Sequence, residues 1–326
     1  MIVWGGLGRN GDEANGGVCN PAANTWVPIP DSASPAGRVS HSAVWTGREM
    51  IIWGGFNGGT GTYFNDGGRY DPAVRSWVNT QTTNAPTARS GHTVVWTGSE
   101  MIIWGGSKNV YLNDGGRYDP AADRWRPIQL IGAPAARIPN AGVWTGREMI
   151  VWGGHSGSQV LGDGGRYDPS GDRWLTISAT NAPAARGGHS TVWTGSEMIV
   201  WGGFGSGTYL NDVGRYNLAA NSWAVSVPAE SPSPRTYQST VWTGTEMIIW
   251  GGQNNSAKLN DGARYDPKSN TWTAILRSGA PKPRFGHTAV WTGSEMIVFG
   301  GDGADQRLSD NYSYTPPRTM YLYLQP

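Results

Sequence analysis

Met101-Ile102-Ile103-Trp104-Gly105-Gly106 is written seven times in this chain, with Val for the second Ile or Phe for the Trp in some copies. The copies start at Met1, Met50, Met101, Met149, Met198, Met247 and Met296, at intervals of 48 to 51 residues. A near-constant period of this size marks a repeat array, in which each unit is one small element unable to bury its own faces. The six residues read as an apolar strand closed by two glycines, which reach positive φ where the chain must turn. No 3.6-residue period fits, and the 49 glycines argue against helices.

Working outward from this strand gives the whole unit. His92-Thr93-Val94-Val95-Trp96 is a β-branched run and reads as strand A. Thr97-Gly98-Ser99-Glu100 is a tight turn into Met101–Trp104, strand B. A polar loop reaches Asn113-Asp114, and Gly115-Gly116-Arg117-Tyr118 is strand C. Asp119 and Pro120 set a turn, Arg124–Ile128 is strand D, and a Pro- and Ala-rich linker leads on to Arg137. Strands A and B are apolar on both faces, as in sheets that stack like blades around an axis.

Strand B ending in Gly-Gly, then Tyr-Asp-Pro, then a Trp seven residues after the Tyr, resembles the kelch motif. Tyr118 to Trp125 shows the spacing, and Tyr70–Trp77, Tyr167–Trp174, Tyr216–Trp223 and Tyr265–Trp272 repeat it. Unit 5 has Asn217-Leu218 for Asp-Pro, and unit 7 reads Tyr314-Thr315-Pro316 with Tyr321 in the Trp place. Unit 1 has Cys19 at the Tyr position with Trp26 seven residues on, which makes Cys19 a packing residue. The resemblance spans essentially the whole chain. It implies an all-β, kelch-type β-propeller of the galactose oxidase and kelch-like kind, one domain over residues 1–326.

Seven B strands point to seven four-stranded blades; a six-bladed ring is the alternative and would leave Glu295 onward as surplus. Strand A occurs six times, ending in Trp45, Trp96, Trp144, Trp193, Trp242 and Trp291. Blade 1 therefore starts without its innermost strand. Met320–Leu324 reads either as strand D of blade 7 or as that missing strand. Met1 is itself a repeat methionine, so the lack of a visible signal peptide carries no information.

Composition excludes several classes of function. The net charge of +1 provides no field to recruit nucleic acid or an acidic membrane. No apolar run approaches the roughly 20 residues of a spanning helix. One cysteine permits neither an internal disulfide nor a multi-thiolate metal site. No cofactor or metal is expected, and a monomer in an extracytoplasmic or secreted bacterial setting is the favoured reading.

Because strand direction alternates, the A–B and C–D turns share one face and the B–C and D–A loops the other. The turns are nearly uniform. The loops differ in every blade, as in residues 56–64, 107–112, 155–161 and 253–259. Variable loops on a rigid frame are where binding concentrates. On that face, beside the axis, the approach to strand A carries Arg-x-x-His: Arg38/His41, Arg89/His92, Arg137/Asn140, Arg186/His189, Arg235/Gln238 and Arg284/His287. Four of the five histidines hold this position. A ring of arginines with imidazoles would suit an anion, a carboxylate-bearing sugar or an acidic peptide. In kelch domains generally, this end of the propeller often holds the ligand. A feature repeated in every blade equally suits a scaffold, with each Arg tying the linker to a neighbouring blade. His155 stands outside the pattern and reads as a solvated side chain.

Two further patterns read as framework. Glu49, Glu100, Glu148, Glu197 and Glu246 are expected within about 5 Å of Arg69, Arg117, Arg166, Arg215 and Arg264 in the same blades. The Asn-Asp-Gly triplets at 65–67, 113–115 and 260–262 lack the spaced carboxylates of a calcium loop and read as turns. The expected function is non-catalytic binding of a protein, peptide or glycan by the loop face. One alternative is a sialic acid-like sugar mutarotase, with an Arg on the sugar carboxylate and a His as acid and base. Another is a structural part of a larger secreted or surface protein. A copper radical oxidase is set aside, since Cys19 has no His near it in sequence.

Overall fold

Each Met-Ile-(Ile/Val)-Trp run is a strand buried along its full length, and the way it is buried builds the ring. Ile51 and Trp53 pack with Met101, Ile103, Tyr118 and Trp125 of the next blade. Met50 and Ile52, pointing the other way, pack with Trp4 of the blade before. Period-two alternation thus sends one strand's side chains into two different interfaces. The computed structural model describes residues 1–9, 11–139 and 141–316. It contains seven antiparallel sheets in a ring and, among these residues, no helix.

Blade 3 shows the plan, with strands Thr93–Trp96, Met101–Trp104, Gly115–Asp119 and Arg124–Pro127 paired in chain order. Blades 2, 4, 5 and 6 have the same four strands. Among the described residues blade 1 has three, Ile2–Trp4, Gly16–Asn20 and Thr25–Pro28, and blade 7 has three, Thr288–Trp291, Met296–Phe299 and Asn311–Tyr314. The A strands of successive blades lie against one another around the axis. The seventh sheet removes the six-blade alternative. Met320–Leu324 and Tyr321 lie outside the described residues.

The Trp of strand D links blades. The Trp125 Nε1 donates to the Gln81 carbonyl at 3.0 Å, Trp174 to Gln129 at 2.9 Å and Trp223 to Ser178 at 3.0 Å. The ring closes with the same residue. Trp26 donates to Asn311 Oδ1 at 3.1 Å and packs on Phe299 with ring centroids 5.2 Å apart. Cys19, buried in strand C of blade 1, is a packing residue as expected.

The loop face holds structure that composition did not reveal. Five B–C loops fold back as two-residue ladders, for example Phe56–Asn57 with Thr62–Tyr63 and Phe204–Gly205 with Thr208–Tyr209. In blades 6 and 7 single bridges, Gln253 to Lys258 and Asp302 to Arg307, do the same. The D–A linkers pair with these hairpins through Val39–Phe56, Ser90–Ser107, Ile138–His155, Gly187–Phe204, Thr236–Gln253 and Phe285–Asp302.

Candidate functional site

The six linker arginines converge on one geometry, and it faces inward. Arg38, Arg89, Arg137, Arg186, Arg235 and Arg284 are at most 1% exposed. Each Nε donates to a carbonyl two residues back, as Arg89 does to Thr87 at 2.9 Å. Each Nη1 donates to the first glycine carbonyl after strand B: Gly54, Gly105, Gly153, Gly202, Gly251 and Gly300. Each also meets the aspartate before strand C. The contacts are Arg38–Asp66 2.8 Å, Arg89–Asp114 2.8 Å, Arg137–Asp163 2.9 Å, Arg186–Asp212 2.7 Å, Arg235–Asp261 2.7 Å and Arg284–Asp310 2.5 Å. The planar guanidinium suits this forked set of acceptors.

In this geometry the arginines of the expected anion ring hold the framework. Each guanidinium is buried and bonded to carbonyls and a carboxylate. The side-chain ties run within the blade that the linker leads into, while each arginine's carbonyl accepts from the second glycine N–H of the preceding blade, as Arg89 does from Gly55 at 2.8 Å. The aspartates of the three Asn-Asp-Gly triplets, Asp66, Asp114 and Asp261, are half of the six partners, which explains those triplets beyond turn chemistry. Both halves of the pattern were visible in the sequence, at a separation of 25 to 28 residues, but nothing local joins them.

His92, His189 and His287 are buried as well, and His41 is partly so. His92 lies against Trp53 of the previous blade at 5.2 Å between centroids, and His41 against Trp4 at 5.3 Å, His189 against Trp152 at 5.5 Å and His287 against Trp250 at 5.1 Å. Each imidazole covers the first glycine of the preceding Gly-Gly, so that a Cβ on Gly54 would come within 2.7 Å of His92 Cε1. Burial, reinforced by the adjacent arginine charge, pushes His41 down to about 4 and His92, His189 and His287 down to about 3. These rings are neutral near pH 7. His287 Nε2 shares a hydrogen bond with Ser239 Oγ at 2.7 Å, and Gln238 Nε2 donates to Ser190 Oγ at 2.7 Å. Asn140 lies outside the described residues.

His155 is half-buried in the hairpin of blade 4, 6.4 Å from the Tyr111 ring, and not the free solvated side chain expected. The Glu–Arg pairs are present in blades 2 to 6 at 3.8, 3.5, 3.6, 2.6 and 2.9 Å. Sequence reading missed a further tie five residues after the motif tyrosine. The hydroxyls of Tyr118, Tyr167, Tyr216 and Tyr265 donate to Asp123, Asp172, Asn221 and Asn270 at 2.6 to 2.7 Å. Asp172 Oδ1 also accepts from the Gln129 N–H of the blade before, at 2.9 Å. All four acceptors have positive φ, which Asn and Asp tolerate.

The hairpin-and-linker surface is open to solvent. Leu7, Val110, Phe204 and Tyr237 are large apolar or aromatic side chains exposed there. Their identities change from blade to blade, whereas the Arg–Asp contact beneath recurs in blades 2 to 7 and the His–Trp contact in four of them.

The chain matches the KLHDC2/KLHL20/DRC7 Kelch-repeats domain over residues 1–193 and 141–324. It is also similar to the Homo sapiens protein "Kelch domain-containing protein 3", 31% identical over 114 residues. That match covers 32% of this chain and 28% of the length of the human protein.

Proposed function

The chain belongs to the kelch-repeat family, and from that premise we propose that it is a non-catalytic scaffold binding a protein through its hairpin-and-linker face. One observation carries the reading. The linker arginines are buried and bonded to the framework and the histidines beside them pack against tryptophans, while the variable side chains above them are exposed. Exposed aromatic and aliphatic side chains within a polar surround are the usual make-up of a protein interface.

The test compares the two faces. A display library of random twelve-residue peptides is selected on the wild-type protein, and the enriched peptides are titrated against two variants. Val110→Ser with Phe204→Ser alters the loop face; Arg48→Ser with Val74→Ser alters the turn face. Loss of binding in the first variant alone supports the reading. Loss in the second alone overturns it.

A further inference from the structure

The residue two after each linker arginine takes a left-handed backbone in five of the six linkers. It is Ser40 (φ 53°), Gly91 (64°), Gly188 (67°), Tyr237 (55°) and Gly286 (64°). The sixth linker has Pro139 there. A small residue suits this position, because a Cβ crowds the following carbonyl when φ is positive. Blade 6 places a tyrosine in it. For a bulky side chain this backbone is a true outlier.

The framework does not require the ring. Tyr237 N donates to the Gly188 carbonyl at 3.2 Å and Gly286 N donates to the Tyr237 carbonyl at 3.3 Å. Both bonds use backbone atoms and would serve with glycine. The Tyr237 ring is 53% exposed instead of filling the core. It reaches from one neighbouring linker to the other. A Cβ on Gly188 would lie 3.8 Å from its Cε1, and its centroid is 6.2 Å from that of Phe285. Strained residues of this kind persist at functional sites when the surrounding structure holds them in place.

We propose that Tyr237, with Phe285 beside it, is the anchor of the binding face, seating an apolar or proline side chain of an extended peptide segment from a protein partner. This rests on the binding reading above and locates it at the linkers of blades 5 to 7. The surroundings select the class of ligand. Lys258 lies over the Phe285 ring at 4.9 Å and pairs with Asp302 at 3.4 Å. Its Nζ also donates to the Gly303 carbonyl at 2.5 Å. The patch is thus locally neutral. A sugar would need free carboxylates or amides to take its hydroxyls, and an acidic peptide would need a free cation. An apolar anchor needs only the two rings, with the ion pair as a polar rim.

The experiment uses the peptides enriched on the wild-type protein, with Tyr237→Gly and Tyr237→Phe variants of the full chain. Tyr237→Gly is expected to weaken peptide binding at least tenfold while unfolding no earlier than wild type. Tyr237→Phe is expected to bind within about twofold of wild type, since its ring face is kept. Earlier unfolding of Tyr237→Gly would make the tyrosine structural and overturn the proposal. Unchanged binding by a stable Tyr237→Gly, together with loss in Val110→Ser/Phe204→Ser, would overturn the anchor and leave the loop-face reading standing. Failure to enrich any peptide would count against both.

Discussion

Arg186 and Asp212 form a two-pronged ion pair across the root of blade 5, Nη1 to Oδ1 at 2.7 Å and Nη2 to Oδ2 at 2.8 Å. The same guanidinium donates to the Ala184 and Gly202 carbonyls at 2.9 and 3.1 Å. One side chain thereby fixes the linker, the end of strand B and the start of strand C. The same ion pair recurs in blades 2 to 7.

Removing Arg186 leaves two carbonyls and a carboxylate short of a donor in a buried site. Arg186→Ala is expected to cost about 3–5 kcal/mol, the range for breaking one side of a buried pair. Arg186→Lys should recover only part of this, because a point charge cannot serve the whole fork. Chemical denaturation of the three proteins checks it; a lysine variant as stable as wild type would contradict the geometry.

The histidines make stability depend on pH. Folded-state values of about 4 for His41 and about 3 for His92, His189 and His287 lie below the ordinary 6.5. The unfolded chain therefore binds protons that the native state refuses. Stability is full above about pH 7 and falls as pH drops from 6.5 towards the folded values, by at most about 1.4 kcal/mol per pH unit for each ring. Calorimetry near pH 5 should record uptake of about four protons on unfolding. His287→Gln should lower that uptake by about one; no change would place the imidazole in solvent.

Gly54 has φ +67°, and a Cβ there would lie 2.7 Å from His92 Cε1 and 3.1 Å from the Arg89 carbonyl. Gly54→Ala is expected to cost about 1–2 kcal/mol in backbone strain and about 1–3 from overpacking. Adding His92→Ala should relieve the packing part but not the strain, so the double variant should be less destabilised than the sum of the single ones. Strict additivity in thermal unfolding would show that the two groups do not touch.

Asp172 combines a positive φ of 45° with bonds to the Tyr167 hydroxyl and the Gln129 N–H. Asp172→Ala loses the bonds and keeps a Cβ in the left-handed region, for a cost of about 2 kcal/mol. Asp172→Gly loses only the bonds and should be the more stable of the two. The reverse order on denaturation would refute the strain at this turn.

Much of this was legible because the chain repeats. Tyr118 and Trp125, seven residues apart, are cross-strand partners in strands C and D, so the motif spacing is itself a register. The Glu–Arg pairs could likewise be read, because Ile102 and Arg117 face each other one step from Glu100. The Arg–Asp pairs and the His–Trp contacts could not, although the arginines, the histidines and three of the aspartates stood out in the sequence. Their partners are 25 residues or more apart, or in different blades, and only the stacking of the ring brings them together. Their burial turned residue types chosen for their chemistry into framework.

The sequence by itself determined the strand order, the seven-fold repeat and the division into a uniform and a variable face. Each follows from local spacing and from apolar residues that must be covered by the next unit. The tertiary structure alone decided which polar groups are spent and which remain free. That depends on burial and on distances between blades, and it is why Arg89 is buried while Tyr237, against the preference of its own backbone, is exposed.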